Sequence, residues 1–165
     1  MNDVPMPEPG EATVCAAGQG PAVWSMGSLF ERLATADQTG GTLDAAIVTQ
    51  PPGLATPLHV HTREAEAWYL LSGTLTYLAG DERVDLEAGG FIYLPRGVPH
   101  AFRTTSDVRY LALTVPGGVM DLYDEVGTPA PERRLPDGGI TGEEIARWMA
   151  AAPRYGLQVV GPPIG

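Results

Sequence analysis

Short apolar or alternating segments recur along residues 23–115, and turns that contain Gly or Pro separate most of them. Side chains of a strand point alternately to its two faces, so repeats of this kind about every ten residues are typical of antiparallel sandwiches and barrels. The predicted strands are 23–34 with an interruption at Gly27, 42–50, 58–61, 66–72, 74–78, 84–86, 91–94, 100–105 and 108–115. The pattern therefore predicts an all-β domain.

The periodicity changes to a helical one after the turn at 116–118. Residues 119–126 carry apolar side chains at helical spacing and predict a short helix on the barrel. Thr141 and Glu144 form a capping box that opens a second helix, which we expect to end near residue 152. The apolar face of this helix consists of Ile145, Trp148 and Met149. We expect that face to pack against the β domain rather than to bind a cofactor.

Length and composition fit one domain. The chain has 165 residues, of which 44% are hydrophobic and 18% charged, as in globular proteins. We predict a flexible N-terminal tail at 1–20, a β-barrel at 21–118 and a helical extension at 119–165 that packs on the barrel.

Charge narrows the range of partners. All ten basic residues are Arg, and the formal net charge at pH 7 is −10. The lack of Lys excludes Schiff-base, Lys-anchored PLP and Walker-A chemistry. An acidic surface repels phosphate backbones and anionic lipids, so we expect a small-molecule ligand and neither a nucleic acid nor a membrane partner.

The number of cysteines and the first residues of the chain indicate the cellular compartment. A single cysteine, Cys15, excludes an intrachain disulfide and a Cys-rich zinc site. The first fourteen residues contain three prolines and no long apolar stretch, so they do not resemble a secretory signal. We expect a cytoplasmic protein, and the Arg-rich, Lys-free composition indicates a GC-rich bacterial genome.

All three histidines lie in two segments that bracket a carboxylate. His59 and His61 are two residues apart on one predicted strand, so both imidazoles point to the same face. Glu66 begins the next strand, and His100 follows a Pro/Gly turn that can return it to the same cavity. This set of three imidazoles and one carboxylate suits one divalent ion of Fe, Ni, Mn, Co, Cu or Zn, and we predict a catalytic metal site there. The alternative is a packed polar core, and we expect Glu64, in the loop after His61, to be solvated.

These residues resemble the two motifs of the cupin family, G-x5-H-x-H-x3,4-E-x6-G and G-x5-P-x-G-x2-H-x3-N. The first motif is matched at every fixed position, by Gly53, His59, His61, Glu66 and Gly73. The second motif is matched by Gly89, Pro95, Gly97 and His100. It differs at its last position, where Thr104 replaces an Asn that is not a metal ligand in the family. Over about residues 23–160 the chain resembles small single-domain cupins related to bacterial quercetin 2,3-dioxygenases. The resemblance implies a cupin double-stranded β-helix (jelly-roll barrel) with short C-terminal helices.

Strand parity identifies candidate walls of a substrate cavity. Trp68 and Leu70 share the face of Glu66, and Phe102 shares the face of His100, so we expect these three to bind substrate. An apolar, aromatic cavity beside a metal suits a flat, oxygen-bearing organic molecule. The alternative is that each of these side chains only fills the barrel core.

Other side chains point away from these walls. Tyr69, Tyr93 and Arg103 have opposite parity or an uncertain register, and could face a second sheet or a partner subunit. An apolar outer face on the strand that begins at Glu66, formed by Ala67, Tyr69 and Leu71, favours a homodimer.

Three functions are compatible with this site. Resemblance to quercetinases implies a dioxygenase, in which a deprotonated enol or phenol binds the metal, Glu66 takes the proton and O2 attacks the activated carbon. The first alternative is a redox-neutral polyketide cyclase, isomerase or lyase that uses the metal as a Lewis acid. The second is a non-enzymatic binding module, although no helix-turn-helix precedes the barrel to indicate a DNA-binding regulator. We favour the dioxygenase.

Overall fold

Two antiparallel β-sheets make up most of the fold. The computed structural model describes residues 11–165. The strands of these residues are β1 (Ala22–Ser25), β2 (Ser28–Ala34), β3 (Asp44–Gln50), β4 (Pro57–His61), β5 (Ala65–Ser72), β6 (Thr74–Ala79), β7 (Glu82–Glu87), β8 (Phe91–Leu94), β9 (His100–Thr104), β10 (Val108–Val115), β11 (Thr128–Pro129) and β12 (Leu157–Pro163). The helices are α1 (Asp121–Val126) and α2 (Gly142–Ala151), and a 3-10 helix follows at Ala152–Tyr155.

The strands form one sheet of seven and one of five. The seven-stranded sheet has the order β11-β1-β2-β3-β10-β5-β8, and the five-stranded sheet has the order β12-β4-β9-β6-β7. Aromatic side chains join the sheets: the Trp68 ring lies 4.8 Å from the Phe102 ring and 5.3 Å from the Tyr77 ring. The core therefore lies between the sheets, and the predicted all-β jelly-roll fold is confirmed.

Strand β10 shows how the pattern of the sequence produces this core. Val108, Tyr110, Ala112 and Thr114 are buried, while the residues between them are more exposed. This strand pairs with β3 on one side and with β5 on the other. A central strand with one buried face needs this period of two, because successive side chains point to opposite faces.

The glycine between β5 and β6 has a steric cause. Gly73 has φ +83°, and a Cβ at this position would lie 2.0 Å from the carbonyl oxygen of Asp107. Only glycine combines a left-handed backbone with so close an approach of another chain segment.

A buried ion cluster holds α1 on the seven-stranded sheet. Arg32 on β2 is 2% exposed and pairs with Asp44 of β3 at 3.1 Å. The same guanidinium pairs with Asp121 at 3.2 Å and with Asp124, both on α1. The cluster thereby fixes the short helix that follows the last central strand.

The structure contains two strands that the sequence pattern does not predict. Both β11, a two-residue strand, and β12 lie at sheet edges. The Gly161-Pro162-Pro163 run resembles a tail, yet β12 pairs with β4 through register shifts at Gly161. An edge strand tolerates Pro because only one of its sides needs ladder hydrogen bonds. The predicted helices agree with α1 and α2 to within two residues.

Residues 1–10 of the predicted tail lie outside the described residues, and residues 11–20 form neither helix nor strand. Within 11–165, no helix has the length and apolar character needed to cross a bilayer.

Candidate metal centre and adjoining cavity

Three histidines from two neighbouring strands converge on one point. His59 and His61 alternate inward on β4, and His100, at the start of β9, is directly paired with His59. All three side chains are buried, and each offers a ring nitrogen within 4.8 Å of the others'. This spacing suits three ligands around one ion.

Backbone carbonyls select the tautomer of two of these rings. Nδ1 of His59 donates to the Pro57 carbonyl at 2.8 Å, and Nδ1 of His100 donates to the Val98 carbonyl at 2.9 Å. A ring that carries its proton on Nδ1 keeps the lone pair of Nε2 for a metal. Burial lowers the pKa of His59 to about 4, with the neighbouring His100 ring adding to the effect, and burial also lowers the pKa of His61. Both imidazoles are therefore neutral at pH 7, as metal ligation requires.

Glu66 reaches the histidines from the opposite sheet. Its Oε1 accepts a hydrogen bond from Trp68 Nε1 at 2.7 Å. Its Oε2 lies 3.5 Å from His100 Nε2 and 3.7 Å from His61 Nε2. Although burial alone raises the pKa of this carboxyl, the adjacent His100, His61 and Trp68 side chains lower it to about 2. Glu66 is thus ionised, with one oxygen directed at the rings.

Unpaired atoms at this point fit a bound cation. Among the described residues, Glu66 Oε2 and His100 Nε2 are buried without a hydrogen-bond partner. A buried polar atom without a partner is costly, and a metal ion supplies a shared partner for several of them. The donor set, three imidazoles and a carboxylate, could hold a first-row divalent ion.

Glu64 is buried, so the expectation of a solvated side chain is wrong. It is 4% exposed, and its Oε2 lies 3.9 Å from His61 Nδ1. Burial raises the pKa of the Glu64 carboxyl to about 7. The side chain turns inward at the bend before β5, which a rule based on strand parity does not cover.

A cavity of about 440 Å³ adjoins the centre, with His61 and Glu66 in its lining. Trp68, Phe102 and Tyr110 form an aromatic part of the wall, and the Trp68 ring stacks on the Tyr110 ring at 4.0 Å. Few polar groups interrupt this apolar lining. The volume is within the range of about 300–1,000 Å³ that is usual for small-molecule sites.

Comparison with known proteins identifies the fold family. Residues 46–116 match the Cupin domain family. The barrel is a cupin domain. This segment contains all three histidines and Glu66.

Quercetin 2,3-dioxygenase of Bacillus subtilis is a curated relative of this cupin, 33% identical over 124 residues. The matched region spans 73% of this chain but only 37% of that protein. Two solved structures share the fold, each with a TM-score of 0.55. One, described as a predicted oxalate decarboxylase from Thermotoga maritima, is 21% identical, and the match covers 64% of this chain and 99% of that one. The other, an RmlC-like cupin from Shewanella frigidimarina, is 17% identical, with coverage of 62% and 89%.

Thr104, which replaces the last Asn of the second cupin motif, braces a turn. Its hydroxyl donates to the Pro51 carbonyl at 2.7 Å and accepts from the Leu54 amide at 2.9 Å. The Thr104 hydroxyl is therefore bonded at this turn and not at the three histidines.

The three predicted wall residues have different places in the cupin. Trp68 and Phe102 line the cavity, whereas Leu70 is absent from the lining formed by residues 11–165. Leu70 is fully buried in the core, two residues beyond Trp68 along β5. It shares the face of Glu66, as parity predicts, but lies further from the centre.

Both helices contribute side chains to the cavity wall. The sequence pattern did not predict this contribution. Ile145, Trp148 and Met149 of α2 line it, together with Met120 and Tyr123 of the α1 region. Ile145 and Met149 are 46% and 45% exposed, because they face the cavity rather than a packed wall. Apolar residues at helical spacing indicate a buried face, but they do not distinguish core from cavity.

The lining also contains two unpaired polar atoms. Gln50 donates through Nε2 to Ser28 Oγ at 3.1 Å, while its Oε1 has no partner among the described residues. Trp148 Nε1 is likewise buried and unpaired within that part of the chain.

Tyr69, Tyr93 and Arg103 lie on the outside of the barrel and are exposed. Tyr69 pairs with Phe91 across β5 and β8, and Ala67 pairs with Tyr93. Tyr69, Phe91 and Tyr93 form an apolar outer face at the edge of the seven-stranded sheet, whereas Arg103 lies on β9 of the five-stranded sheet.

Proposed function

We propose that this cupin is a metal-dependent dioxygenase that acts on an aromatic enol or phenol, such as a flavonol. The observation that carries the proposal is the unpaired Glu66 Oε2, directed at His61 and His100 beside an apolar cavity. The relative named quercetin 2,3-dioxygenase supports the oxygenase class.

His59, His61 and His100 would hold one divalent ion through their Nε2 atoms, with Glu66 Oε2 as the fourth donor. Such an ion would supply Lewis-acid chemistry, which lowers the pKa of a ligated hydroxyl and stabilises negative charge on its oxygen. The candidates are Fe, Ni, Mn, Co, Cu and Zn, since each accepts this mixture of imidazole and carboxylate ligands.

Glu66 has the geometry of a proton acceptor. The Trp68 indole occupies Oε1. Oε2 is therefore the oxygen that would either complete the ligand set or, when not bound to the ion, take a proton from the substrate. The low pKa of this carboxyl keeps it in the acceptor form at neutral pH. The proton then resides on Oε2 beside the histidines, and Trp68 holds the group in position.

The cavity wall defines the class of substrate. Aromatic faces of Trp68 and Phe102 favour a planar ring system, and the apolar surroundings exclude water from the reacting carbon. Gln50 is a polar residue of the wall, and its Oε1 has no partner among the described residues.

The test is oxygen uptake by metal-loaded protein with flavonols and related enols. Substrate-dependent O2 consumption is the expected result. Product formation under strict anaerobiosis would instead support the redox-neutral cyclase, isomerase or lyase. Binding without turnover under every metal would leave a small-molecule-binding cupin.

The Glu66→Gln variant tests the proton acceptor. It keeps the shape and one oxygen donor, so metal should still bind while turnover falls by about 10²–10⁴, the usual range for loss of general-base assistance. Glu82→Gln, the same change at an exposed position of β7, is the matched control and should behave as wild type. His59→Ala and His100→Ala should lose metal and activity together. Near-normal turnover in fully loaded Glu66→Gln would make this residue a spectator.

The apolar outer face on β5 and β8 leads us to propose a homodimer. Tyr69, Phe91 and Tyr93 are 45%, 60% and 58% exposed. Single exposed apolar residues are common on protein surfaces, whereas a contiguous group of them is typical of an interaction site. Sedimentation of Tyr93→Glu against wild type tests this face, and a wild-type monomer at all concentrations would contradict it. The cytoplasmic location stays a prediction from the sequence.

A further inference from the structure

The three histidines differ in what contacts the nitrogen that faces away from the centre. Nδ1 of His59 and Nδ1 of His100 each bond to a carbonyl two residues earlier in the chain. Among residues 11–165, Nδ1 of His61 has no hydrogen-bond partner. The charged atom beside it is Oε2 of Glu64 at 3.9 Å, which is also buried and without a partner.

Within residues 11–165, no other ion pair within 4.0 Å explains why Glu64 is buried. Arg63, its neighbour in sequence, donates to the Arg154 carbonyl at 2.9 Å. Among the described residues, His61 is the one basic group within 4.0 Å of the Glu64 carboxylate. Burying a carboxylate oxygen without a partner is costly, and Oε2 of Glu64 is such an atom among the described residues.

We propose that Glu64 is the positioning residue of His61: its Oε2 accepts the Nδ1 proton and thereby keeps Nε2 as the metal-binding nitrogen. This inference rests on the proposed metal site. At 3.9 Å the two atoms are not hydrogen-bonded in the structure, and the proposed bond requires them to approach by about 1 Å. Carboxylate partners of ligating histidines fix the ring orientation and raise the basicity of the ligand.

The charges of the site agree with this assignment. The imidazoles are neutral ligands, so the carboxylates of Glu64 and Glu66 together balance the two positive charges of a divalent ion. In a buried site such a balance reduces the cost of desolvating the ion.

Hydrogen bonds attach the start of the loop that carries Glu64 to two other segments of the chain, at Gly97 and at Gly156. The His61 carbonyl accepts from the Gly97 amide at 2.9 Å, and the amide and hydroxyl of Thr62 both donate to the Gly156 carbonyl at 2.8 Å. These bonds hold the peptide that joins His61 to Thr62 and the Thr62 side chain, so the backbone between the His61 ring and Glu64 is anchored to two other segments.

Zinc affinity, measured by competition with a chromophoric chelator, tests the proposal. Glu64→Ala should bind Zn²⁺ about 10–100-fold more weakly than wild type, the usual effect of losing such a partner. Glu64→Gln keeps an acceptor oxygen without the charge and should fall between the two. Glu82→Ala, at an exposed site, is the matched control and should match wild type.

Nitrogen NMR of ¹⁵N-histidine-labelled, zinc-loaded protein supplies a readout that a merely structural role would not move. Glu64→Gln should shift the Nδ1 resonance of His61 and leave those of His59 and His100 in place. This measurement also serves if Glu64→Ala fails to fold.

The possible failures are distinct. If the wild-type protein binds no metal, both the proposed function and this inference are wrong. If wild type binds Zn²⁺ and the folded Glu64 variants bind it within about twofold, with the His61 resonance unmoved, the metal site stands and the role of Glu64 is overturned.

Discussion

Two buried clusters of charged groups in this barrel differ in how fully their atoms are paired. In the cluster around Arg32, Asp44 accepts from the guanidinium at 3.1 Å, from the Ala36 amide at 2.8 Å and from the Gly118 amide at 2.6 Å. In the cluster around His61, several buried atoms of the histidines and of Glu64 and Glu66 have no partner within the described residues.

The difference distinguishes a structural role from a binding role. A buried charge with most of its hydrogen-bonding atoms paired stabilises one arrangement of the chain, here the attachment of α1 to the barrel. In the Arg32 cluster, Nε of Arg32 is the buried side-chain atom left without a partner among the described residues. Buried polar atoms without a hydrogen-bond partner reduce stability. They are retained where a bound ligand supplies the missing partner. We therefore assign the Arg32 cluster to the fold and the His61 cluster to function.

Removing Asp44 should produce the largest loss of stability. Asp44→Ala leaves the Arg32 charge buried and several backbone donors unpaired, so the free energy of unfolding should fall by about 3–5 kcal/mol. Chemical denaturation in the presence of a chelator measures this change. Asp81→Ala, on the exposed turn before β7, is the control. The variant's zinc affinity, measured while it is folded, should stay near wild type, and a stability loss below about 1 kcal/mol would contradict the structural assignment.

Removing His61 should affect the metal-dependent part of stability. Free metal at 100–1,000 times its Kd should raise the free energy of unfolding of wild type by about 3–4 kcal/mol. His61→Ala should lose most of this gain, whereas its metal-free stability should change less, since Nδ1 of the ring has no hydrogen-bond partner among the described residues. Thermal melts with and without chelator measure both quantities. Complete unfolding of wild type by chelator at room temperature would instead make the metal structural.

A pH-dependent effect on stability is expected for Glu64 in metal-free protein. Its pKa is about 7 in the folded state, above the ordinary value of 4.5, so the folded state binds this proton more tightly than the unfolded state. Its contribution to stability is present below pH 4.5 and is lost as the pH rises through 7. Glu64→Gln imitates the protonated form, so it should match wild type near pH 5 and melt at a higher temperature at pH 8.

Glu82→Gln should show no such pH-dependent difference from wild type. Equal melting temperatures of Glu64→Gln and wild type at both pH values would contradict an ionised, buried Glu64. Together with weaker metal binding by Glu64→Gln, the expected result would show a residue that costs stability in the empty site.

Strand alternation and the spacing of the cupin motifs determined much of the result in advance. Period-two patterns predicted the central strands, and His59, His61, Glu66 and His100 were predicted to meet in one cavity. These inferences succeed because a strand's side-chain direction is a local property, and because Gly and Pro mark where strands end.

Tertiary structure alone decided which side chains face the cavity and which fill the core. Leu70 and Trp68 share one parity, yet only Trp68 is part of the lining, because their distances from the centre depend on how the two sheets pack. The apolar face of α2 covers a cavity, and β12 adds an edge to β4, since both depend on where the C-terminal segment returns. Glu64 is buried because the bend before β5 turns it inward, beside His61. The positions of these side chains and segments depend on packing between parts of the chain that are distant in sequence. A local sequence pattern does not encode that packing.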